Sequence, residues 1–430
     1  MQVRVSKGKG LIVDGPAKIE VISGSGDLFG KPLRKDDVII VRKAKSVGIQ
    51  AETDLCLEIT GGFGFKVEEV DYPLISNDWR EVVEILKKSE KPAIVFIVGD
   101  VDTGKTTLVT YLGNILCREG FKVAVLDEDV GQSDVGPPCT VGLGILTEPV
   151  AFLSDLEFID GFFVGSTSPS GIIQRSVAGT KLMVEKAIEL GSDVILIDTC
   201  GWVFGREARE LKTVLFYLLK PTHVVLVEKH EGELDHLIVP LKNLKLNVMK
   251  VKSPVRIRER NREERRFLRE IMFRKYLENL REVKVPLDRV GVAYGILGSG
   301  RLVEQKLMDR VSTMLGVKVL YCEKSEDYLL IVTEDSETIN PLSLEAVKRV
   351  LQIKDIRVVS KSMIKGVLVG LMDNDMNFLG VGVIKDYDPK TNELVIRTNV
   401  DGDKIAIIQY GSIKISDETR EEGKIRPWTF

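Results

Sequence analysis

No C-x-x-C pair occurs in this chain, and its five cysteines, Cys56, Cys117, Cys139, Cys200 and Cys322, lie scattered over 430 residues. That spacing excludes a disulfide framework and a zinc–thiolate site, and predicts a reduced, cytoplasmic protein. Long apolar runs are missing too. None approaches the ~18 residues of a membrane span, so no membrane partner is expected. The opening MQVRVSKGKG lacks the apolar stretch of a secretory leader. There is no excess of one charge, with 61 basic and 64 acidic residues, so net charge selects no partner. Repeats and low-complexity segments are absent.

What is present begins at residues 94–107, IVFIVGDVDTGKTT: an apolar run, then Gly99, four residues, Gly104, Lys105 and Thr106. This is the G-x4-G-K-S/T phosphate-binding loop. Its turn aims backbone N–H groups at phosphate oxygens, Lys105 neutralises the β and γ phosphates, and the Thr106 hydroxyl can ligate Mg²⁺. The flanks agree, since Ile94 to Val98 reads as a buried strand and Leu108, Leu112 and Ile115 give a helical apolar face. Gly99, Asp102, Thr103, Gly104, Lys105, Thr106 and Thr107 are the candidate nucleotide-binding residues, and ATP with Mg²⁺ the expected cofactors.

Up to about residue 80 the chain reads as short strands between glycine turns, which predicts an all-β domain over 1–80. Trp79 to Ser89 then has helical spacing. From 93 to about 285 strands alternate with helices from 105, around 174–190 and around 206–219, which predicts a parallel α/β sheet in a domain spanning 81–285. An amphipathic helix near 301–315, a hairpin in VLYCEKSEDYLLIV and a strand-rich tail from Gly366 predict a mostly β domain over 286–430. The expected class is α/β: a central P-loop parallel-sheet domain flanked by an N-terminal all-β and a C-terminal mostly β domain.

Chemistry gathers at strand ends. The strand KVAVL runs into Asp127-Glu128-Asp129-Val130-Gly131-Gln132, at the edge where open α/β sheets place their sites. One carboxylate there can serve a metal and another accept the proton of an attacking hydroxyl. A second strand, DVILI, ends in Asp198-Thr199-Cys200-Gly201-Trp202, where the indole can stack a nucleobase or pack into a domain seam. Gly165 to Gly171, GSTSPSG, suits a loop closing on phosphate as well as an exposed turn. Lys250 to Lys284 carries thirteen basic against six acidic residues, a net +7. Within it Arg262, Arg266 and Arg269 lie three or four apart, so one helical face of a lid at about 256–275 can present guanidinium groups to ATP or to a nucleic-acid backbone. A solvated helix with Glu/Arg pairing gives the same composition.

Four strings, GDVDTGKTTL (99–108), LDEDVGQSDVGPP (126–138), GSTSPSG (165–171) and IDTCGWV (197–203), together resemble the polynucleotide 5′-hydroxyl kinases. That family includes the kinase subunit of the mRNA 3′-end cleavage factor, the rRNA-processing kinase and their archaeal relatives. GPAKIEV (15–21) and GVLVGLMDNDMNFLGVGVIKDYD (366–388) are similar to its terminal β domains. The resemblance implies a central kinase domain that transfers the γ-phosphate of ATP to the 5′-hydroxyl of RNA or DNA, with single-stranded ends as partners and RNA-processing proteins as further ones. Lys105 and Thr106 are then phosphate and Mg²⁺ ligands, and Asp129 the general base and a candidate metal residue. Asp127 and Gln132 support metal, water and substrate, Thr167 belongs to a clasp on the transferring phosphate, Trp202 contacts the terminal nucleotide, and Arg262, Arg266 and Arg269 stabilise transition-state charge. Glu128 departs from the family, which often carries an apolar residue there, and the lid is unusually dense in arginine.

The alternative reading within this family is a catalytically silent, ATP-bound scaffold of an RNA-processing complex. A regulatory GTPase is disfavoured because no N/T-K-x-D string follows a later strand; after THVVLVE the chain reads KHEGEL. Partitioning-type ATPases carry a second lysine early in the loop, where this chain has Asp100-Val101-Asp102.

Overall fold

In the computed structural model, which describes residues 1–241, 244, 246–334 and 339–430, the chain divides into two compact units. The first comprises Met1–Val164 and Ser168–Met272, the second Gly165–Thr167 and Phe273–Phe430.

The first unit begins with two antiparallel sheets of four and five strands between Gln2 and Val70. Alternating side chains such as Ile19 and Val21 from one sheet and Leu11, Val13 and Ile49 from the other meet in one apolar core, as period-2 patterning requires. A helix, Asn77–Lys87, leads into the seven-stranded sheet that carries the phosphate loop. Its strand order is Phe158–Phe163, Thr140–Leu146, Val123–Asp127, Val194–Asp198, Ala93–Gly99, His223–Glu228, Asn247–Lys252.

Ala93–Gly99 is buried at every residue, because helices cover both faces of the sheet. Ile94, Phe96 and Val98 face a core shared with Val184, Leu211 and Leu215 of the helices Ile173–Glu189 and Arg206–Leu219. Val95 and Ile97 face Trp79, Val83, Leu108 and Leu112 on the other side. The α/β expectation is borne out, with one refinement: the sheet is mixed. Thr140–Leu146 pairs antiparallel with Val123–Asp127 and with Phe158–Phe163.

The second unit has a seven-stranded, largely antiparallel sheet around Val369, Ile384, Ile396 and Ile408. Beside it a four-stranded sheet packs Cys322, Leu329 and Ile331 against the helices Gln305–Leu315 and Pro341–Leu351. The hairpin expected at VLYCEKSEDYLLIV is present as Val319–Lys324 and Tyr328–Thr333. Among the described residues no helix is long and apolar enough to cross a membrane.

Candidate active site

The strand Ala93–Gly99 ends in the phosphate loop, and the helix Lys105–Arg118 starts directly after Gly104. Gly104 has φ +90°, and a Cβ there would lie 2.8 Å from Pro254, so both conformation and space demand glycine. No side chain caps the helix, which leaves its first-turn amides directed into the loop. Thr103 Oγ1 donates to the Asp100 carbonyl at 2.9 Å, and Lys105 Nζ to the same oxygen at 2.7 Å. Lys105 is buried, which lowers its ammonium pKa, while Asp198 and Asp129 act to raise it. Thr107 is partly exposed in the first helical turn.

Two neighbouring strands deliver carboxylates to this edge, as the register of Asp127 with Asp198 dictates. Asp198 Oδ2 accepts from Thr106 Oγ1 at 2.7 Å, whereas its Oδ1 is buried without a partner. Burial pushes the Asp198 carboxyl up to about 6, against the pull of Lys105 and the Thr106 hydrogen bond. The sequence marked Asp198 as a strand-end acid but did not rank it with the metal residues; its contact with Thr106 does.

Asp127 is spent on architecture. Its Oδ1 accepts from Asp129 N at 3.0 Å, and its Oδ2 from Asp134 N at 2.5 Å and Val135 N at 3.1 Å, folding the loop over its own carboxylate. Burial and the nearby Asp198 and Asp129 raise its pKa well above the usual range. Asp129 Oδ1 accepts from Gly131 N and Gln132 N, both at 3.0 Å, and burial raises its pKa while Lys105 opposes. Gln132 Nε2 donates to the Gly131 carbonyl at 2.6 Å and reaches the Arg265 carbonyl at 3.3 Å; its Oε1 is buried and unpartnered.

Glu128 points the other way. Its Oε2 accepts from Cys200 N at 2.8 Å and from Lys212 Nζ at 3.2 Å, and neither side chain of the ion pair has any exposure. Its backbone N donates to the Asp198 carbonyl at 2.9 Å, so it ties the turn after one strand to the turn after the next. Burial would lower the Lys212 ammonium, but Cys200 and Glu128 raise it. Burial also pushes the Cys200 thiol up to about 12, which leaves it a neutral group beside Lys212.

The basic arm lies across the loop as a strap. Ser253 Oγ donates to the Thr103 carbonyl at 2.8 Å, and Asp102 Oδ2 accepts from Arg260 N at 3.2 Å and Arg265 Nη2 at 2.7 Å. Three of its arginines are consumed by contacts within the protein, two of them on the N-terminal segment and one within the arm itself. Arg256 forks onto Asp14 at 2.9 and 2.7 Å, Arg258 pairs Glu264 at 2.7 Å, and Arg260 Nε reaches the Ala44 carbonyl at 3.1 Å. In the lid helix, Arg262–Tyr276, Arg269 Nη1 lies 3.5 Å from the Gly131 carbonyl. Arg262 and Arg266 are exposed, and Arg266 Nε pairs Glu270 at 3.1 Å.

Trp202 is partly buried against the core that includes Cys200 and Val203. Thr167 groups with the second unit, as does Gly165, whose carbonyl accepts from Ser412 N at 2.7 Å and Ser412 Oγ at 2.9 Å.

Fold and loop together define a P-loop phosphotransferase with strand-end carboxylates. Residues 99–279 match the family described as mRNA cleavage and polyadenylation factor CLP1 P-loop. The polyribonucleotide 5′-hydroxyl-kinase of Thermococcus kodakarensis is 32% identical over 82% of this chain and 96% of its own length. That of Pyrococcus abyssi is 30% identical over 79% and 93%. The solved Clp1p–Pcf11p complex superposes with a TM-score of 0.67 at 14% identity, over 96% of this chain and 97% of the Clp1p chain, and so shares the fold. The chain belongs to the polyribonucleotide 5′-hydroxyl-kinase family, and the expectation of an ATP-dependent polynucleotide kinase is borne out at that level.

Proposed function

We propose that this protein transfers the γ-phosphate of ATP to the 5′-hydroxyl of a single-stranded RNA or DNA end. The observation that carries the reading is the meeting of Lys105, Asp129 and the Thr106–Asp198 pair on one sheet edge. Asp129 takes the proton of the 5′-hydroxyl; the freed oxygen forms its bond to the γ-phosphorus as the bond to the ADP oxygen breaks. Lys105 and the lid arginines, Arg269 foremost, hold the charge that spreads over the transferring phosphoryl group. Asp127 and Gln132 keep the base-bearing loop in place, and Trp202 meets the terminal nucleotide. Thr167 is assigned to the clasp on the phosphate. The exposed Arg262 and Arg266 grip the polynucleotide backbone.

The oxygen donors at Thr106 and Asp198, one carboxylate oxygen of which is buried without a partner, fit a hard cation. Thr106 and Asp198, with Asp129 on the same sheet edge, would hold Mg²⁺, and the ion would supply charge neutralisation to the bound phosphates. Five free thiols support a reducing, cytoplasmic setting, and RNA-processing proteins are the proposed partners. The proposed domains are 1–80, 81–285 and 286–430.

Labelled γ-phosphate from ATP, offered with 5′-hydroxyl RNA and DNA oligonucleotides, tests it. Label is expected on the oligonucleotide with the wild type and lost with Lys105→Ala and Asp129→Ala. ATP binding without transfer to either polymer would overturn the kinase reading in favour of a scaffold.

A further inference from the structure

Two residues beyond Trp202 the chain exposes a second aromatic ring. Phe204 is 51% exposed, while Val203 between the two is 1% exposed and anchors the segment in the core. The ring of Phe204 is stacked on His236, with centroids 5.4 Å apart and planes at 23°. His236 is held at its ring: Nε2 lies 2.9 Å from the Val203 carbonyl oxygen and Nδ1 3.1 Å from that of Glu233, and the one N–H of the neutral imidazole donates to one of the two. The result is a stacked pair of rings of which Phe204 is the half-exposed member.

Its place in the fold links it to the phosphate loop. A Cβ on Gly201 would fall 2.7 Å from Val101 Cγ2 and 2.8 Å from Val101 N, so the turn that carries Trp202 and Phe204 rides directly on the loop. Arg206–Leu219 starts immediately after it, and Ser170 of the GSTSPSG segment donates to Glu207 in its first turn at 3.0 Å.

We propose that Phe204, backed by His236, is a second stacking shelf that receives the nucleobase of the second nucleotide, one step 3′ of the phosphorylated end. This rests on the kinase reading and on Trp202 meeting the terminal nucleotide. Single strands bind proteins by laying successive bases on successive aromatic faces, independent of sequence. A half-exposed ring two residues after the first aromatic, on the same turn, supplies the next face.

The test is a cycle with two changes, one in the protein and one in the RNA. Affinity of the full-length protein for a 5′-hydroxyl RNA oligonucleotide is measured by fluorescence anisotropy, intact or abasic at nucleotide two, for wild type, Phe204→Leu and Phe204→Trp. Phe204→Leu should weaken the intact RNA about tenfold and leave the abasic RNA unchanged, and Phe204→Trp should restore the intact affinity. Equal affinity of wild type and Phe204→Leu, or an equal loss on both RNAs, would overturn the shelf. Anisotropy reads binding without transfer, so absence of labelled product would count against the kinase reading alone.

Discussion

Glu128 and Lys212 form an ion pair with no exposure on either side, at a position where the carboxylate joins two strand-end turns. Removing one partner strands a buried charge, so Glu128→Gln or Lys212→Met should cost about 3–5 kcal/mol, measured by chemical denaturation. Replacing both by apolar residues should recover most of that loss. Stability unchanged in either single variant would contradict the assignment. Asp198 gives a second prediction. Its pKa is raised to about 6, so a proton holds the carboxyl below that value and the ion predominates above it. A cation must displace that proton, so the KM for Mg²⁺ should climb as pH falls through 6, by up to about tenfold per unit. A KM for Mg²⁺ that stays flat from pH 7 to 5 would remove Asp198 from the cation site. The partner of Glu128 could not be read from sequence, because Lys212 lies 84 residues away on a helix and looks like any surface lysine in the text. Asp198 was visible as an acid at a strand end, but only the Thr106 hydroxyl beside it marks its role.

At the scale of the element, the basic arm is two things that composition merges. Its first part is a strap whose arginines Arg256, Arg258 and Arg260 are bound to the protein itself. Its second part is a helix whose Arg265 and Arg269 turn toward the loops and whose Arg262 and Arg266 turn outward. Charge density located the arm, but helical phase and anchoring decide which guanidinium is available. Arg262→Ala combined with Arg266→Ala should weaken RNA binding and reduce the slope of log affinity against log salt by about 1 to 2, with ATP affinity unchanged. A salt slope equal to the wild type would place the polynucleotide elsewhere. The helix Pro341–Leu351 lies outside the elements expected from sequence, although its start is written in the chain. Asn340 caps it by accepting from Leu342 N at 2.9 Å, and Pro341 opens it. Asn340→Ala should therefore lower stability by about 1 kcal/mol on denaturation.

For the whole molecule, the strand–helix alternation made the central sheet legible, and the phosphate loop fixed its active edge. Strand direction was less so. Thr140–Leu146 and Phe158–Phe163 return antiparallel because the connections before them hold no crossover helix, and parallel neighbours need one of a dozen or more residues. The same logic brings Asp127 and Asp198 together: strand-end motifs travel with their strands, so adjacent ends meet once the order is known. In the proposed mechanism Asp129 takes the proton while Asp198 serves the cation. Rapid-quench transfer from ATP to a 5′-hydroxyl RNA, with ATP affinity measured in parallel for wild type and Asp129→Asn, tests it most directly. Unchanged ATP affinity and a transfer rate reduced about 10²- to 10⁴-fold are expected. Transfer by Asp129→Asn at the wild-type rate would contradict the mechanism.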